Sequence, residues 1–98
     1  MDFLQREISS NPCVIFSSTT CPSCDAAKAA ITETGAKMVV HELDGFGEDF
    51  KNAVTQLSGM RTVPKVFIGG NCIGGAQETQ GKAQTGELRA LLQNAGAF

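Results

Sequence analysis

Five uncharged residues, Cys13-Val14-Ile15-Phe16-Ser17, are followed after only three polar positions by Cys21-Pro22-Ser23-Cys24. An apolar run of this length that does not alternate suits a strand covered on both faces. Such a strand needs a layer above and a layer below, which confines the chain to layered α/β architectures. Proline is favoured at the first position of a helix, so Pro22 opens one with Cys21 at its cap. Ala26, Ala27, Ala30 and Ile31 carry that helix toward Gly35, its expected stop.

The remaining elements follow from periodicity and punctuation. Residues 2–10 are expected as a short helix, capped by Asp2 with Gln5 in the reciprocal position and with Leu4 and Ile8 on one face. Asn11-Pro12 ends it. Residues 37–43, around Met38-Val39-Val40, are expected as a second strand. Phe46, Phe50, Val54 and Leu57 recur at helical spacing, giving an amphipathic helix over 47–58 closed by Gly59. Thr62-Val63-Pro64 introduces a strand over 65–68, and Gly69-Gly70-Asn71 turns it into a return strand at Cys72-Ile73. Gly74-Gly75 breaks the chain again. Residues 76–84 are polar and contain Gly81, so no more than a turn or two of irregular helix is expected. Leu88, Leu91, Leu92 and Ala95 define a last helix before Gly96.

The expected order is therefore α-β-α-β-α-β-β-α. A parallel βαβ pair and an antiparallel hairpin make a mixed four-stranded sheet with helices on both faces. With 98 residues, 42% hydrophobic and 18% charged, residues 1–98 are expected to form one globular domain. A net charge of −2 gives no electrostatic case for nucleic acid or an anionic membrane. No stretch approaches the roughly 20 apolar residues that cross a bilayer. The two acids in the first seven residues do not suit a secretory or transit segment. A cytoplasmic location is expected, or an organellar one had a presequence been removed.

Without an export signal, four cysteines are better judged for reactivity or metal binding than as a disulfide framework. The thiolate is the nucleophile, and helix N-terminal N–H groups favour it. Cys21 sits in that field. Cys24, one turn inside on the same side, is placed to resolve a mixed disulfide rather than to be attacked from outside. Zinc would need four ligands, and Cys13, Cys72 and His41 supply no second close pair, so no metal is expected. Cys13, Phe46, Phe50 and Phe67 are expected in the core, Cys72 as a half-buried inert thiol, and His41 as a structural strand residue.

Read together, these segments resemble glutaredoxins of the thioredoxin-like superfamily. The resemblance runs through Cys21-Pro22-Ser23-Cys24, His41-Glu42-Leu43-Asp44, Gly59-Met60-Arg61-Thr62-Val63-Pro64, Val66-Phe67-Ile68-Gly69-Gly70 and Ile73-Gly74-Gly75. It implies a thioredoxin-like fold, a cis bond before Pro64 and an extended glutathione paired with the backbone of Val63. It implies a glutathione-dependent thiol–disulfide oxidoreductase, with Cys21 as nucleophile and Cys24 as resolving thiol. The implied glutathione site comprises Cys21, Arg61, Thr62, Val63, Pro64, Gly75, Ala76, Gln77 and Glu78, with the γ-glutamyl end at 76–78. Glutathione enters as co-substrate, and the implied partners are glutathionylated or disulfide-bonded proteins. Glutathione reductase acts indirectly through the glutathione pool, and a monomer is expected.

Departures from the family pattern weaken the expected grip on glutathione. Ser18 stands where many relatives carry Lys, Met60 where many carry Gln, Ser23 where an aromatic is usual, and Ala76-Gln77-Glu78 replaces Cys-Asp-Asp or Cys-Ser-Asp. Arg61 and Lys65 are the available cations. Two rival functions compete with this one. A dimer could hold a [2Fe–2S] cluster through Cys21 and two glutathiones, against which Pro22 argues. A glutathione-independent thioredoxin-like reductase would want Trp-Cys-Gly-Pro-Cys, and the chain contains no Trp.

Overall fold

A computed structural model describes residues 2–98; the side chain of Asp2, and with it the expected helix cap, lies outside the described residues. The central strand β1 (Cys13–Ser17) is buried along its whole length. It pairs in parallel with β2 (Val39–Glu42) and antiparallel with β3 (Lys65–Ile68), which pairs antiparallel with β4 (Asn71–Gly74), giving the order β2-β1-β3-β4. This is the mixed four-stranded sheet expected from the sequence.

Alternation along β1 divides the core. Cys13 and Ile15 face one side, where α2 (Pro22–Glu33) contributes Ala27, Ala30 and Ile31, and α5 (Glu87–Ala95) contributes Leu88 and Leu92. Val14 and Phe16 face the other, against Leu4 and Ile8 of α1 (Asp2–Ser10) and Ala53 and Val54 of α3 (Glu48–Ser58). Phe16 is packed edge-on to Phe67, and Phe46 stacks on Phe50 with ring centroids 4.2 Å apart. Phe67 is core, as expected, while Phe46 and Phe50 are half-buried and pack against the core. His41 also belongs to this face: its ring stacks on Phe16 and its Nε2 meets Glu7 Oε1 at 2.9 Å.

Three local expectations are corrected. The second strand is shorter than 37–43, because β1 supplies pairing partners only for 39–42; Leu43 then turns into the core on a short 3-10 turn, Leu43–Gly45. Leu57 is exposed, so the apolar stripe of α3 is buried only as far as Val54. Most consequentially, residues 76–84 form a regular helix, α4 (Ala76–Thr85), packed on α2. Its sole fully buried residue is Thr79, whose hydroxyl donates to the carbonyl of Gly75 at 2.8 Å. Glu78 Oε1 accepts the N–H of Gly75 at 2.7 Å, which fastens the first turn. Tertiary packing and this cap supply what the missing apolar period does not.

The topology brings distant segments to one end of the sheet. The parallel strands β1 and β2 finish there, β3 starts there, and β4 returns there before α4 begins. The loop after β1, the segment before β3 and the turn after β4 therefore meet, although they span Ser18 to Ala76.

Candidate active site

Cys21 caps α2 in an extended conformation (φ −106°, ψ 108°), with Pro22 as the first helical residue. Its sulfur accepts the backbone N–H of Cys24 at 3.3 Å. A helix N-terminal donor is thus aimed at the sulfur that must carry negative charge when it attacks. Cys21 is partly exposed, whereas Cys24 is fully buried. Burial, reinforced by the neighbouring Cys21 side chain, pushes the Cys24 thiol up to about 11. The two sulfurs therefore differ in the way the sequence suggests: one open to a substrate, one sheltered and protonated at neutral pH. Burial likewise raises Cys13 to about 11, consistent with an inert core thiol.

The Val63–Pro64 peptide bond is cis. The carbonyl oxygen of Val63 lies 3.8 Å from Cys21 Sγ. Val63 borders two depressions. The first, about 470 Å³, brings Thr62, Val63 and Pro64 together with Gly75, Ala76, Gln77 and Glu78 from the start of α4. Ser23, Met60 and Gln80 complete its wall. Seven of the nine positions anticipated for glutathione therefore share one groove, and an eighth, Cys21, stands beside Val63. Arg61 is the exception. It opens into the second depression, about 530 Å³, with Ser18, Asp44, Lys51 and Lys65.

The electrostatics of the two depressions differ. The first carries the N-terminus of a ten-residue helix, whose free N–H groups suit a carboxylate. Glu78 is less available for an ammonium than its charge suggests, because Oε1 is occupied by the Gly75 N–H. Gln77 is exposed on that wall. The second depression holds three cations against Asp44, whose carboxyl is held below its usual range chiefly by the Thr19 hydroxyl at 2.7 Å. Lys65 is 2% exposed, donates to Thr55 Oγ1 at 3.2 Å and has its ammonium pKa pushed down by burial. Arg61 and Lys51 are thus the more open charges.

Lys51 and Gln80 were not anticipated. Lys51 reads as one charge on the solvated face of α3, and Gln80 lies in a stretch whose helix the sequence conceals. Met60 replaces an expected amide with a thioether. Its Sδ lies 4.0 Å from Cys72 Sγ, and its methyl group packs against Gly75. Cys72 is half-buried, as expected. Among the described residues no group of three or more His, Cys, Asp and Glu side chains converges.

Comparison with known proteins agrees with this geometry. A family model described as Glutaredoxin matches residues 13–73. A glutaredoxin from Vernicia fordii is 47% identical over 95 residues, covering 95% of this chain and 91% of its own length. The crystal structure of a buckwheat glutaredoxin–glutathione complex superposes with a TM-score of 0.92 at 37% identity, covering 99% of this chain and 90% of that one. Oxidized glutaredoxin 2 from Chlamydomonas reinhardtii superposes with a TM-score of 0.91 at 36% identity, covering 99% and 94%.

Proposed function

Because the chain belongs to the glutaredoxin family, we propose that it is a glutathione-dependent thiol–disulfide oxidoreductase acting through Cys21. The observation that carries this reading is the asymmetry of the dithiol. The partly exposed Cys21 sulfur accepts a helix N-terminal N–H and stands 3.8 Å from the Val63 carbonyl, while Cys24 is buried one turn behind it.

The chemistry follows thiol–disulfide exchange. The Cys21 thiolate attacks the glutathione sulfur of a mixed disulfide. A bond forms between Cys21 and that sulfur, and the protein thiolate leaves with the electron pair. A second glutathione thiolate then attacks the same glutathione sulfur, which regenerates Cys21 and releases oxidised glutathione. With a protein disulfide, Cys24 attacks Cys21 Sγ instead, closing the Cys21–Cys24 bond, and two glutathiones later reopen it. Glutathione reductase would restore the pool without touching this chain.

Bound glutathione would lie across Val63, its backbone against the Val63 main chain. Its γ-glutamyl carboxylate would meet the N–H groups opening α4 at Ala76 and Gln77, with the Gln77 amide near the ammonium. Its glycyl carboxylate would point toward Arg61, with Lys51 beyond. All these groups come from one chain, so the proposed exchange calls on no residue of a second subunit.

The reading is tested by reduction of a glutathionylated peptide with glutathione, followed for Cys24→Ser and Cys21→Ser. Turnover in Cys24→Ser and none in Cys21→Ser is expected. Turnover retained by Cys21→Ser would remove Cys21 from its assigned role.

A further inference from the structure

Cys21 hangs from a short loop, Ser18-Thr19-Thr20, that is poorly buried: Thr19 and Thr20 are exposed and Ser18 is half-buried. The loop is held from outside. β1 and β2 run in parallel and end level, with Ser17 opposite Glu42. Beyond that pair the two segments leave the sheet side by side, and side chains take over from the backbone ladder. The Ser17 hydroxyl donates to Glu42 Oε2 at 2.7 Å, and Glu42 Oε1 accepts from Lys28 Nζ at 2.8 Å. Two residues on, in the same register, Thr19 meets Asp44. Its hydroxyl donates to Asp44 Oδ2 at 2.7 Å, and its backbone N–H approaches Oδ1 at 3.4 Å.

The Asp44 end of this contact is anchored. Asp44 lies in the 3-10 turn Leu43–Gly45, whose Leu43 is buried in the core. Three cations share its depression, yet among the described residues none pairs with its carboxylate. Both oxygens face Thr19 instead. Thr19, for its part, is the second residue of a turn in which the Cys21 N–H donates to the Ser18 carbonyl at 3.2 Å. That turn delivers Cys21 to the cap of α2, where its sulfur accepts the Cys24 N–H and stands 3.8 Å from the Val63 carbonyl.

We propose that Asp44 is a positioning residue for Cys21, acting through Thr19. The core holds Leu43, the adjoining carboxylate holds the turn, and the turn sets the sulfur. When the Cys21 thiolate attacks a glutathione sulfur lying against Val63, it must approach along the S–S bond that breaks, and small misplacements of an attacking atom cost rate. Asp44 takes no part in the bonds made or broken. Cutting its contact with Thr19 frees the loop and spreads the positions of the sulfur, so the loss should fall on aligned attack rather than on thiol reactivity as such.

This inference rests on the Cys21 role assigned above. Two reactions of Cys21 separate position from reactivity. Reduction of a glutathionylated peptide requires aligned attack in the groove. Alkylation of Cys21 by iodoacetamide, followed by peptide mass mapping, uses the same sulfur on a small electrophile that needs no seat there. Thr19→Val keeps the shape of the side chain and removes its hydroxyl. In that variant kcat/KM for the peptide is expected to fall about five-fold, the size of one lost hydrogen bond, while alkylation changes by less than about two-fold. Asp44→Ala should behave alike, and the double variant should lose no more than either alone, because both break one contact. Thr19→Ser restores the hydroxyl and should recover most of the loss. Asp44→Asn keeps an acceptor for that hydroxyl without the charge, and should recover part of what Asp44→Ala loses. Unchanged peptide reduction in Thr19→Val, an equal fall in alkylation, or losses that multiply in the double variant would overturn the proposal. Turnover retained by Cys21→Ser would instead overturn the underlying assignment of Cys21.

Discussion

Gly74 shows how tightly single residues are held at this site. It ends β4 with a φ of +119°, and a Cβ there would lie 2.6 Å from Glu78 Cγ and 2.8 Å from Glu78 Oε1. Only glycine tolerates both the conformation and the approach. Gly74→Ala would strain the backbone and push aside the carboxylate that caps α4. A loss of at least about 2 kcal/mol is expected in denaturant unfolding, from the backbone strain and the broken cap together. Residues whose role depends on neighbours in sequence were legible at this scale: Cys21 through Pro22 and the following helix, Val63 through Pro64. Residues whose role depends on a partner elsewhere were not. Ser17 meets Glu42 across 25 positions, and Lys51 reaches the second depression only through the placement of α3.

Among the elements, α4 separates what pattern reveals from what packing decides. Strands and helices with a continuous apolar run or stripe were found at nearly their observed limits, as for β1, β3 and α5. The sequence Ala-Gln-Glu-Thr-Gln-Gly-Lys-Ala-Gln-Thr of α4 has no such stripe, and its cap is a glycine rather than Ser or Thr. Its helix exists because Glu78 closes the first turn and α2 offers a surface for Thr79. Gly81 lies in its interior, exposed and with open space where a Cβ would stand. Gly81→Ala should therefore stabilise the protein by about 0.5–1 kcal/mol, by restricting the unfolded chain and removing a weak helix former. A raised thermal midpoint with unchanged turnover would bear this out; a lowered one would mean that α4 is not a helix in solution.

Across the whole molecule, function depends on the sheet's topology more than on any one motif. Cys21 follows β1, Val63 precedes β3 and Gly75 follows β4, and antiparallel pairing brings all three to one end. The groove between them joins a helix N-terminus on one side of Val63 to Arg61 and Lys51 on the other. That arrangement fits a short peptide with a carboxylate at each end and a thiol between, which is the form of glutathione. The fold class and the reactive dithiol were legible because their signals are local and repeated along the chain. The division of the cations between the two depressions was not, since it is fixed only when α3 and β3 are in place.

Every step of the proposed exchange depends on the capture of glutathione through Cys21. Its most direct test is peptide mass mapping of the Cys24→Ser protein after exposure to oxidised glutathione under native conditions. One glutathione on Cys21, formed well ahead of any adduct on Cys72 and with none on buried Cys13, is expected. Modification that begins at Cys72, with Cys21 left free, would contradict it.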